Sequence, residues 1–229
     1  MMENMSKNLE QLLDEALEDY HMEDFASAHK KYEWYFENAE KFNPHHRGVR
    51  VSFALADWVD VAKQYRPAMT CIIDIRKEAL NKFNETKSIE SFRDYSYISE
   101  YLQTGDEVLE IFFSFHSKDK ELAKKLFKYA YKFLVDNKEW SICAEYMDNS
   151  SEKYDLIFHC YDIVNEEDEF DKETIKHLKK YRIESLKKDI VSLFSILSLK
   201  DNTDIYEDFF NRLKIDLKKR GLIELLSEI

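Results

Sequence analysis

Apolar residues recur along this chain at the three- and four-residue intervals of a helix face, and clusters of turn-forming residues interrupt them at short intervals. Leu9, Leu12, Leu13, Ala16, Leu17 and Tyr20 predict a first helix, with Ser6 as its N-cap. Phe25, Ala28, Tyr32, Tyr35, Phe36 and Ala39 predict a second, stopped by the turn dipeptide Asn43-Pro44. The third, from about His46 to Lys63, is apolar almost all round: between Val49 and Ala62 only Arg50, Ser52, Asp57 and Asp60 are polar. Such a helix must be covered on two or three sides. A fourth begins at Pro67, where a missing N–H costs nothing, and reaches Phe83. Turn signals at 84–88, 104–106, 117–119, 136–137 and 149–151 separate further helices. After 166–171 the pattern predicts a long helix from about Lys172 to Leu199. Asp201-Asn202-Thr203 ends it, and a last helix, from about Asp204 to Arg220, has Gly221 just beyond it as its C′ residue.

The first two pairs repeat. Ala16, Ala28 and Tyr32 stand at spacings of 12 and 4, and Ala56, Ala68 and Ile72 stand at the same spacings 40 residues on. Antiparallel helices approach closely where small residues face each other, and a large residue one turn later fills the groove to the next pair. This order of small, small and large resembles the tetratricopeptide pattern, over about the first 85 residues. The stretch RGVRVSFALADWVDVAKQYRPA, from Arg47 to Ala68, with Tyr32 to Ala39 before it, also resembles a group of bacterial tetratricopeptide-like proteins of unassigned function. Those carry a similar Arg-Gly-Val-Arg-Leu-Ser-Phe-Ala-Leu-Ser-Asp-Trp stretch. The expected fold is therefore all-α: antiparallel helix-turn-helix pairs stacked as a tetratricopeptide-like right-handed solenoid (α-α superhelix). It would form one domain over 1–229, with hairpins to about 165 and a long-helix cap from about 171. The resemblance implies a bacterial, non-enzymatic helical protein and supplies no ligand.

Composition supports helices. The 229 residues include only three glycines and two prolines, too few for a β-rich or dinucleotide-binding fold of this length. A net charge of −12 argues against nucleic-acid backbones and anionic lipid as partners and suits a basic one. The absence of a long apolar run or a signal-like start predicts no membrane association. The cysteines Cys71, Cys143 and Cys160, odd in number, widely spaced and with apolar neighbours, predict reduced, buried thiols in a cytoplasmic protein.

No phosphate loop, nucleophile elbow or Cys-x-x-Cys occurs. His45-His46 are adjacent, so they point apart, and the pair Asp155 and His159 has no third ligand in view. The expectation is a chain that is not an enzyme and has no catalytic residue, no metal and no cofactor. Candidate chemistry lies instead in the third helix. Arg50 and Asp57 share a face two turns apart, ~10.5 Å along the axis. Two readings stay open: neighbouring helices supply a Glu for Arg50 and an Arg or Lys for Asp57, or both residues project beside Trp58 into a groove and engage a protein or peptide. Arg50, Asp57, Trp58, Arg47, Trp34, Tyr97 and Tyr101 form the candidate partner-binding set, because Arg, Trp and Tyr dominate interface hot spots. The alternative is a structural or self-associating subunit, with an immunity- or antitoxin-like protein or a peptide-sensing regulator as concrete variants. The apolar second half of the long helix, Leu186 to Leu197, would then cap the core or form a dimer seam.

Overall fold

The structure is a computed structural model that describes residues 2–163, 172–200 and 203–229, with side chains for all of these except residues 2–7, 172 and 228. The chain is all-helical, and no strand occurs among the described residues. In order the helices are α1 (Met2–His21), α2 (Phe25–Phe42), α3 (Arg47–Val51), α4 (Phe53–Gln64), α5 (Arg66–Thr86) and α6 (Ile89–Tyr101). There follow α7 (Gly105–Lys118), α8 (Lys120–Asp136), α9 (Trp140–Tyr146), α10 (Ser150–Asp162), α11 (Lys172–Leu197) and α12 (Thr203–Lys219). They form two compact units, residues 1–130 and 131–229, and the boundary falls within α8. The expected breaks at 166–171 and at Asp201-Asn202 lie outside the described residues. No helix of the described residues is long and apolar enough to cross a membrane.

In the first unit, α1 packs on α2 and α4, and α4 packs in turn on α5 and α6. Ala16, Ala28 and Ala68 are fully buried in one core with Tyr32, Phe36, Leu55, Trp58 and Ile72, so three of the four repeated alanines lie in the core. Ala56 does not: it stays partly exposed, and Leu55, Trp58, Val59 and Ala62 make the core contacts of α4. Asp24 caps α2 by accepting from the Ser27 N–H at 3.1 Å, and Ser88 caps α6 by accepting from the Ser91 N–H at 3.2 Å. Helix α1 begins at Met2, ahead of the expected cap at Ser6. Phe83 meets Phe92 and Phe115 at ring separations of 5.1 and 5.6 Å, joining α5, α6 and α7.

The predicted third helix is broken. A 3-10 turn at Pro44–His46 leads into the five-residue α3, and Ser52, at φ −115° and ψ −96°, separates it from α4. The cause is local. Ser52 Oγ donates to the Gly48 carbonyl at 2.8 Å, and the Ser52 carbonyl accepts from both the Ala56 N–H at 2.9 Å and the Tyr101 hydroxyl at 3.0 Å. A serine bonded back to a glycine carbonyl, with a second donor at its own carbonyl, is a recognised source of a kink.

In the second unit α11 packs on α9, α10 and α12. Leu186, Ile190, Leu193, Phe194, Ile196 and Leu197 are buried there. This apolar run fills a core and is not a free seam for a second copy. Gly221, at φ +69°, closes α12: the Leu222 N–H bonds to the Leu217 carbonyl at 2.9 Å and the Gly221 N–H to the Lys218 carbonyl at 3.2 Å. This is the glycine-terminated helix end that the sequence predicted.

Candidate binding face

The break at Ser52 gives α3 and α4 separate tasks. On α3, Arg50 turns inward and is 7% exposed. Its Nε donates to the Phe36 carbonyl at 2.6 Å, and Nη1 and Nη2 donate to the two oxygens of Asp94 at 3.0 and 2.5 Å. The guanidinium also lies over the Phe36 ring, 4.0 Å from its centre. Arg93 shares Asp94 through its Nε at 3.0 Å and reaches Glu40 through Nη2 at 2.8 Å, and Arg47 donates to Glu40 from the rim at 2.6 Å. Three arginines and two carboxylates thus clasp α2, α3 and α6. Burial pulls the Arg50 pKa down and pushes the Asp94 pKa up, against the attraction between them. At Glu40 burial also opposes the charge, but the hydrogen bonds from Arg93 and Arg47 outweigh it and hold the carboxyl below its ordinary value. The partner that neighbouring helices supply to Arg50 is therefore an aspartate on α6, where a glutamate was expected.

Trp58 is 1% exposed. Its ring packs on Phe36 and stacks on His29, each at 5.8 Å, and its indole N–H donates to His29 Nδ1 at 3.1 Å. Arg50 and Trp58 are thus structural in this fold, and neither offers a surface to a partner. Trp34 lies elsewhere. It is 44% exposed on α2, stacks on Phe42 at 5.7 Å, and borders a shallow hollow of about 300 Å³ with Leu9 and Leu12.

Tyr97 and Tyr101 lie one turn apart on α6, both half-buried, and Tyr97 meets the Tyr129 ring at 6.3 Å. Asp57 is half-buried on α4, and its charge is felt by the Tyr101 phenol. Around the same exposed side of α4 stand Phe53, 74% exposed, and Asp60. On α1, Leu17 holds the place that Asp57 holds 40 residues later and is 40% exposed. The sequence reading missed Phe53 because it lay in an apolar run taken as core. Its signal was the alignment Phe53, Asp57, Asp60 and Gln64 along one side of the helix.

Within this face Asp57 is uncompensated. No cation among the described residues pairs with it, and burial, followed by repulsion from Asp60, pushes its pKa up. Lys63 is engaged by Asp60 at 2.5 Å, Lys31 by Asp19 at 2.8 Å, and the Tyr101 hydroxyl by Ser52. The Tyr32 hydroxyl is buried with no hydrogen-bond partner, and burial, then Asp57 and Asp60, push its pKa upward. Two consequences follow. Tyr32→Phe should leave stability unchanged or raise it by up to about 1 kcal/mol in urea denaturation, since an orphan buried hydroxyl is lost without a broken bond. Asp57→Asn should raise the melting temperature at neutral pH. Because the folded pKa of Asp57 lies above 3.8, the penalty is full while the carboxylate is charged in the fold, fades as pH falls through the folded pKa, and is gone below the unfolded value. The advantage of Asn should therefore vanish in acid, and a loss of stability at neutral pH would show a hidden partner for Asp57.

His29, Glu33 and Cys71 place ligand-type atoms within 4.8 Å of one another. Their hydrogen bonding does not suit a cation. The indole of Trp58 has only a proton to give, so His29 Nδ1 presents its lone pair and the neutral ring carries its proton on Nε2, the atom 4.0 Å from Glu33. A metal-bound histidine does the reverse, donating its second N–H to an acceptor. The Cys71 thiol donates to Glu33 at 3.1 Å, and burial followed by that bond pushes its pKa up to about 12, which keeps it protonated.

No protein-family model matches this chain, and no curated protein or solved structure matches it either.

Proposed function

We propose that this chain is a non-enzymatic protein- or peptide-binding scaffold. The exposed side of α4, between α1 and α6, is its binding face, and the antiparallel pairs α1–α2, α4–α5 and α6–α7 form a tetratricopeptide-like stack. The observation that supports this most is Phe53. On a helix that buries Leu55, Trp58, Val59, Val61 and Ala62, the one large apolar side chain left outside is 74% exposed and stands in line with a half-buried acid. Isolated apolar residues on a surface are common. One aligned with an unpaired acid, next to the Ser52 carbonyl that the Tyr101 hydroxyl reaches, has the composition of an interface hot spot. The packing of α1 on α4 and of α4 on α6 is what a stack of pairs produces on the side of its first helices. Free Cys71, Cys143 and Cys160 suit a reducing, cytoplasmic setting.

The test is a selection of displayed random dodecapeptides on the full chain. The binders should lose about tenfold in affinity, ~1.4 kcal/mol, on Phe53→Asp and keep their affinity for Trp34→Ser. Binders indifferent to Phe53, or no binders at all, would overturn the proposal.

A further inference from the structure

We propose that Asp57 seats the cationic end of a Lys or Arg side chain on a bound extended peptide, with an apolar residue two positions away on that peptide packed against Phe53. The inference rests on the α4 face being the binding surface and names the chemistry that the face selects.

Three observations converge on Asp57. It is a half-buried carboxylate that no cation among the described residues pairs, whereas in the same unit Asp94 takes two arginines, Glu40 two, and Asp19 a lysine. The nearby cations and hydroxyls are engaged elsewhere, as Lys63 is by Asp60 and Tyr101 by the Ser52 carbonyl. On α2, which packs on α4, the Tyr32 hydroxyl, on a residue 1% exposed, has no hydrogen-bond partner. A half-buried carboxylate without a cation, one turn from an exposed phenylalanine, is a site that is incomplete within the chain.

A second acidic place compares poorly. The cleft of about 660 Å³ between α2 and α5 is lined by Glu33, Glu37, Asp74 and Glu78, but it also holds Arg66. Asp74 is already paired with Lys77 and Glu33 with the Cys71 thiol. No orphaned buried group points to a ligand there.

The spacing specifies the peptide. Phe53 and Asp57 are one turn apart, ~6 Å along the helix. An extended peptide advances ~6.6 Å in two residues and returns its side chains to the same side. A peptide lying along α4 therefore meets both groups with residues i and i+2, one apolar and one basic. The charge match also predicts weaker binding as salt is added.

The test uses the full chain and a peptide selected on it, with affinity read by fluorescence anisotropy. The selected peptides should share a Lys or Arg two positions from an apolar residue. Replacing that basic residue by Gln should weaken binding about tenfold. Asp57→Asn, which the fold tolerates, should do the same, and the two changes together should cost little more than either alone. Peptides that need Phe53 yet bind the Asp57→Asn protein at full strength would overturn the cation seat and leave the face intact. Peptides indifferent to Phe53 as well would overturn both.

Discussion

Asp94→Ala is expected to lower the free energy of unfolding by about 3–5 kcal/mol, the range for removing one partner of a buried ion pair. The loss is large because Asp94 answers two arginines. Arg50, 7% exposed, keeps only the Phe36 carbonyl at 2.6 Å once the carboxylate is gone, and Arg93, 5% exposed, keeps only Glu40. Burial already pulls the Arg50 pKa down, so its charge is tolerated only while Asp94 is present. Urea denaturation of the single and double variants checks this. Arg50→Ala with Asp94→Ala should lose clearly less than the sum of the two single losses, because each single change strands the other residue's charge. Additive losses would show that the pair is not a unit.

Trp58→Ala is expected to cost about 3–5 kcal/mol, as for other large-to-small changes in a packed core. The indole lies against Phe36 and His29, is 1% exposed, and satisfies its N–H at His29 Nδ1. Trp58→Phe should cost less in volume but leave the half-buried His29 without its donor. A loss below about 1 kcal/mol for Trp58→Ala, the range of surface changes, would place the indole at the surface, where a binding role requires it.

Both predictions reassign residues that the sequence alone left undecided. Helix positions were legible because a 3.6-residue period, Pro67 and Gly221 act through the local backbone, and the structure agrees with them. The break at Ser52 was not legible. It depends on Tyr101, which lies 49 residues away in sequence, donating to the Ser52 carbonyl. The same holds for Arg50. Its alternatives, an internal partner or an external one, differ only in whether α6 brings a carboxylate to it, and Asp94 is 44 residues away. Asp57 was expected either to find a cation or to face a groove. The fold brings it no cation, since Lys63 closes on Asp60 within α4. Phe53 was concealed by its neighbours. In a run as apolar as Val51 to Ala62 only its register with Asp57, Asp60 and Gln64 marks it, and the packing of α4 on α1, α5 and α6 decides that this side stays outside.

The long helix shows the converse. Its dense apolar half was compatible with a core or with a dimer seam, and burial of Leu186, Leu193 and Leu197 within the second unit assigns it to a core. Lys188, in the same half, reaches Asp136 at 2.7 Å, and Arg182 donates to the Tyr161 carbonyl, so cations of this helix tie it to its neighbours.

The division of the quoted stretch into an inward clasp and an outward face is the claim on which the rest depends. Its most direct measurement is the affinity of one selected peptide for three proteins of verified stability: the native chain, Asp57→Asn and Trp34→Ser. A loss of about tenfold confined to Asp57→Asn, in a protein that melts higher than the native chain, is the predicted result. Equal affinity for the native and Asp57→Asn proteins, or a loss that follows Trp34 instead, would contradict it.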